Sequence, residues 1–149
     1  MKVTLRFEGG QQLAAALKGL PSRVSKRMLL EALRQAAEPL RDRMEQNAPV
    51  GPDAPHLRDM VVVGPSRGQD AREAAVAVGA TRAGFYGSFQ EFGTAHHAAQ
   101  PWARPAFDAT YQQVLRALAD EIWIELSARG IRRPSGGDGF DGVAVEGEV

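Results

Sequence analysis

With 149 residues, no cysteine and 18 basic against 18 acidic side chains, the chain suits one domain that buries its own core without disulfides or thiol chemistry. Residues 134–149 carry four acids (Asp138, Asp141, Glu146, Glu148) and no base, leaving 18 bases against 14 acids elsewhere, too slight and scattered an excess for a dedicated nucleic-acid binder. No run of about eighteen apolar residues occurs, and the opening MKVTLRFEGG lacks a signal-peptide core, so the expectation is a soluble, cytoplasmic product with no membrane partner.

In chain order, Val3, Leu5 and Phe7 alternate with Thr4 and Arg6, the pattern of a half-buried strand. Gly9-Gly10 turns into a short helical stretch, Gln11 to Leu20, ended by Pro21. Ser22 reads as an N-cap, and Leu29, Leu33, Ala36, Leu40 and Met44 recur at spacings of three and four, predicting a long amphipathic helix to about Asn47. Pro39 lies inside it and predicts a kink or a break into two helices. Ala48 to Pro55 is a proline-rich loop. A strand is expected from near Leu57 through Val63 and another over Arg72 to Gly79, paired antiparallel, with the first strand completing the sheet.

The segment from Phe85 to Phe107 is the densest in aromatic and special residues. Tyr86, Phe89 and Phe92 recur every third position, so a short helix could present them on one face and end at Gly93 in a left-handed cap. With Phe85, these rings are expected to pack under the sheet. Pro101 and Pro105 bias Gln100 and Arg104 away from helix, which predicts a stiff arm holding Trp102 out as an anchor for a neighbour, with Arg104 suited to a neighbouring carboxylate. From Pro105 a second long helix is expected, its stripe formed by Phe107, Tyr111, Val114, Leu118, Ile122 and Leu126 and its stop by Gly130. Trp123 and Ile124 fall off that stripe, a second apolar patch suited to an adjacent subunit. Arg132 to Val149 is glycine-rich and acidic, and is expected to be disordered alone.

The run Glu91-Phe92-Gly93-Thr94, a short spacer, then Ala99-Gln100-Pro101-Trp102-Ala103-Arg104-Pro105-Ala106 opening a long helix resembles the siphophage "putative tail-component" family, neck proteins that complete the joint between phage head and tail. The resemblance covers roughly residues 5 to 128. Where that family usually has Phe-Leu, this chain has Trp102-Ala103. The resemblance implies a virion protein made in the host cytoplasm and forming a ring, six copies to match a tail tube. Its neighbours would be the head-closure or connector protein on one side and the tail terminator or tail tube on the other.

Chemistry is not indicated. Adjacent His96 and His97, with His56 and Glu91, lack the spacing of a metal site, and no nucleophile elbow, phosphate loop or dinucleotide fingerprint occurs, so neither a metal nor a cofactor is expected. Lys18, Arg23, Lys26, Arg27, Arg34, Arg41 and Arg43 read as a solvated helix face or as a non-specific lining for passing DNA. The expected fold is therefore α+β: an antiparallel sheet of about three strands against long N- and C-terminal helices, as one domain over residues 1–130 with a tail over 131–149. Glu91, Phe92, Gly93, Thr94, Pro101, Trp102, Arg104, Pro105 and Trp123 are the expected interface residues. The expected function is a structural neck ring. The alternatives are a tail terminator capping the tube and, more distantly, a DNA-contacting or catalytic accessory of morphogenesis.

Overall fold

A computed structural model describes residues 3–7, 15, 17–52, 55–66, 74–132 and 143–147. In order, the elements are β1 (Val3–Phe7), α1 (Ser22–Asn47), a 3-10 turn at Leu57–Met60, β2 (Val61–Pro65), β3 (Val76–Ala80), a 3-10 turn at Arg82–Gly84, α2 (Gly87–Phe92), α3 (Ala103–Ala128) and β4 (Val143–Gly147). The fold is α+β as expected, with two long helices.

The long helices pack side by side in opposite senses, because the N-terminal half of α1 meets the C-terminal half of α3. At one end Met28 and Ala32 lie against Ile122, Trp123 and Leu126. At the other, Leu40, Met44 and Ala48 lie against Trp102 and Ala106, joined by Leu57 and Val61. On α1 the buried row is Met28, Ala32, Ala36, Leu40, Met44 and then Ala48 beyond its end, every fourth residue, which is the ridge that turns slowly round a helix. Alanines in that row and at Ala106 and Ala119 let the backbones approach where bulkier side chains would hold them apart. The expected row held at Ala36, Leu40 and Met44, whereas Leu29 and Leu33 are only half-buried. Pro39 does not split the helix, and the N-cap is Pro21 rather than Ser22.

α3 begins two residues before Pro105, and its inward face is rotated from the expected stripe. Ala106, Thr110, Ala119, Ile122, Trp123 and Leu126 are buried, while Phe107 turns outward and stacks on Tyr111, rings 6.1 Å apart. Thr110 is tolerated inside because its hydroxyl donates to the Ala106 carbonyl at 2.8 Å. Gly130 ends the helix as expected: at φ +80° its N–H reaches the Ser127 carbonyl and that of Ile131 the Leu126 carbonyl, a Schellman turn closed by Ile131 packing on the Leu126 cluster.

β2 and β3 pair antiparallel from Val61↔Ala80 to Pro65↔Val76, as expected, but β2 starts later than predicted because Leu57–Met60 coils into a 3-10 turn that buries Leu57. The first strand does not complete this sheet. β1 pairs antiparallel with β4, Val3↔Gly147 to Phe7↔Val143, so the described residues form two two-stranded sheets. Part of the segment expected to be disordered is thus a strand. The predicted helix at Gln11 to Leu20 falls largely outside the described residues, although Ala15, Leu17 and Lys18 are helical.

Candidate functional site

The helix α3 starts at a sequence with no capping residue of its own: Gln100-Pro101-Trp102-Ala103-Arg104-Pro105 contains no Ser, Thr, Asp or Asn, and Trp102 in the cap position offers no side-chain bond. A helix leaves its first four N–H groups without intrahelical partners. Here those of Trp102 (2.7 Å) and Ala103 (2.8 Å) donate to one carboxylate oxygen of Glu91 and that of Arg104 (3.1 Å) to the other. Pro105, fourth in line, has no N–H to satisfy. Glu91 on α2 therefore caps α3 from a different element, and the charge sits where the helix dipole favours it. Burial pushes the Glu91 carboxyl up, but the N–H groups of Ala103, Trp102 and Arg104, with the Arg104 charge, outweigh it and leave it below the usual glutamate value.

Trp102 is the second half of this joint. It is only 4 % exposed, its indole N–H donates to the Gly87 carbonyl at 2.9 Å, and its own carbonyl accepts from Asn47 at the end of α1 at 3.3 Å. The projecting anchor expected here is corrected: Trp102 is core. The reason is that the buried side of α2 is made by Gly87 and Glu91, four residues apart. A Cβ on Gly87 would lie 2.9 Å from Leu57 Cδ1 and 3.1 Å from Trp102 Cζ2, so only glycine leaves room for the indole. Trp123 is likewise buried, 8 % exposed, among Met28, Ala32, Ile122 and Leu126, which overturns its assignment to an outer patch. Ile124 does face outward, 60 % exposed.

The rings expected inside lie outside. Phe85 is 67 %, Phe89 52 % and Phe92 70 % exposed, and only Tyr86 packs partly against the core. Phe85 and Phe89 meet edge to face, 6.2 Å apart, and the Arg104 guanidinium stands 5.9 Å from the Phe92 ring, a cation–π contact at the surface. Gly93 does end α2, but at φ +74°, ψ −179°, a region essentially restricted to glycine and distinct from the expected left-handed cap. The chain after it folds back so closely that a Cβ would lie 2.8 Å from the Ala99 nitrogen and 2.9 Å from the His97 oxygen. Thr94 and His97 bridge that return and Gln100 N–H donates to the Gln90 carbonyl at 2.7 Å, so Glu91 to Thr94 sets the angle at which the chain enters α3.

Of the expected interface residues, the structure thus gathers Glu91, Phe92, Gly93, Thr94, Pro101, Trp102, Arg104 and Pro105 at one joint and leaves Trp123 at the far end. Phe85, Phe89 and Gly87 were missed as members of it. Gly87 and Glu91 at helical spacing, beside a helix with no cap of its own, were the signal.

Among the described residues no three of His, Cys, Asp and Glu come together as metal ligands; His97 faces Gln90 at 3.3 Å. Arg41, in the basic run, is held between Glu38 (2.7 Å), Asp42 (2.7 Å) and Glu45 (3.4 Å), and its hydrogen bond to Asp42 leads the interactions that raise it above its ordinary value. Among the described residues no helix is long and apolar enough to cross a membrane.

No curated protein and no solved structure matches this chain. The model of a phage family described as "Bacteriophage HK97-gp10, putative tail-component" matches residues 11–93, more than half of the sequence, and takes in α1, the β2–β3 hairpin, α2 and Gly93. By that match the chain belongs to the HK97-gp10 family of phage tail components.

Proposed function

We propose that the protein is a non-enzymatic structural part of the head–tail joint of a long-tailed phage or phage-like particle. In this reading copies form a ring between the head-closure layer and the tail tube, and the ring forms through the outward aromatic face of α2. The observation that carries it is the inversion at the joint: Phe85, Phe89 and Phe92 are turned to solvent on and just before α2, an element that Glu91 and Trp102 tie to α3. Membership of a tail-component family supports a virion role. Adjacent exposed rings on a fixed element are the composition and rigidity favoured at the centre of protein interfaces, and closed rotational symmetry turns one heterologous contact into a ring.

Particles assembled without this protein, viewed by electron microscopy, test the position. The expected outcome is filled heads and free tails of normal length. Abnormally long tails would instead make the protein the terminator of the tube, and joined, infectious particles would remove both roles.

A further inference from the structure

β2 and β3 form a sheet of two strands, so each has an outer edge, and the two edges differ. Thr81 N–H donates to the Met60 carbonyl and Ser66 N–H to the Ala75 carbonyl, which fixes the alternation along the ladder. With that register, Val61, Val63 and Pro65 of β2, and Val76, Val78 and Ala80 of β3, turn their backbone groups away from the partner strand. On β2 that edge is largely used up, because Pro65 has no N–H and Val61 donates to the Arg58 carbonyl. On β3 nothing comparable blocks it: VAVGA has neither proline nor charge, the residues that commonly protect an edge.

At Ala80, where that edge ends, lies a groove of about 440 Å³, bounded by Gly79, Ala80 and Thr81 on the strand side and by Phe85, Phe92 and Arg104 on the helix side. Its rim is basic. Arg104 is exposed, and so is Arg82, set in the turn between Thr81 and Gly84.

We propose that this groove receives the strand β4, from the acidic C-terminal segment of a second copy of the chain, which adds to the edge of β3. Charge and backbone both select it. Residues 134–149 carry Asp138, Asp141, Glu146 and Glu148 and no base, a charge opposite to that of the exposed Arg82 and Arg104. Among the described residues β4 is paired with β1 alone, so its other edge can join β3 by strand addition, giving a sheet in the order β1, β4, then β3 and β2 of the neighbour. Two-stranded ribbons are marginal by themselves, and the union makes four strands of two such ribbons. This rests on the ring reading above and adds a backbone contact beside Phe85 and Phe92, which border the same groove.

The absence of cysteine makes the test direct. Chains carrying Ser88→Cys, in the groove, are mixed with chains carrying Glu146→Cys, on β4, and oxidised at low and high salt, while light scattering follows the mass of the unmodified protein. The expected result is a covalent dimer in the mixture, well above the yield of either variant alone and severalfold weaker at about 1 M salt, where charges are screened within about 3 Å. A doubly substituted chain that links only to itself would show the strand covering its own groove, and overturns the proposal. So does an unmodified protein that assembles while the two cysteines never join. An unmodified protein that stays monomeric overturns the ring reading, and this contact with it.

Discussion

Glu91 shows how far one side chain can organise this fold. It supplies the cap that the start of α3 lacks, so removing it leaves three N–H groups without their acceptor. Glu91→Ala should lower stability by about 0.5–2 kcal/mol, the usual range for a lost N-cap, measurable by urea denaturation. The pH dependence has a definite sign. Because the folded carboxyl lies below its unfolded value of about 4.3, its stabilisation is complete above that value and is lost as pH falls through the lower, folded one. The stability gap between the natural chain and Glu91→Gln should therefore be constant near neutrality and shrink below about pH 4; a gap that widens in acid would contradict the capping role. That Glu91, Gly93 and Trp102 belong together was legible in their spacing and in the prolines around the tryptophan. The direction of Trp102 was not, because what admits it is the missing side chain at Gly87, fifteen residues earlier, and its indole N–H finds a carbonyl there that no local pattern announces.

At the level of elements, periodicity located α1, α3, the β2–β3 hairpin and both glycine stops, since each depends on local spacing and backbone conformation. It misjudged faces. The short helix α2 has one side made of Gly87 and Glu91 and another made of Phe89 and Phe92, continued by Phe85 just before it, and the usual rule that apolar means inward chose the wrong side. On α3 the same rule selected Phe107 and Tyr111, whereas the small residues Ala106 and Thr110 face α1, because close helix approach favours volume that fits over hydrophobicity. The pairing of β1 with β4 joins residues from opposite ends of the chain, a contact that no window of sequence contains. Pro39 gives a further check on the elements. α1 continues through it without the hydrogen bond that a residue with an N–H would make to the Gln35 carbonyl, so Pro39→Ala should stabilise the protein by about 1–3 kcal/mol. A loss of stability in thermal unfolding would mean that the proline shapes α1 in a way the packing of α3 requires.

For the whole molecule, the account separates what holds the domain together from what joins copies. Two apolar clusters between α1 and α3 and the Glu91–Trp102 joint serve the first; in the proposed ring the outward rings serve the second. Replacing Phe85, Phe89 and Phe92 together by serine isolates the two, since none of them is needed for the core and exposed substitutions usually change stability by less than about 0.5 kcal/mol each. The decisive measurement is the mass of the natural and triply substituted proteins by light scattering, alongside their unfolding curves. The account predicts a closed oligomer for the natural chain and a monomer for the variant, with the unfolding transition nearly unmoved. A variant that assembles as the natural chain does, or that loses assembly only because it unfolds, would contradict it.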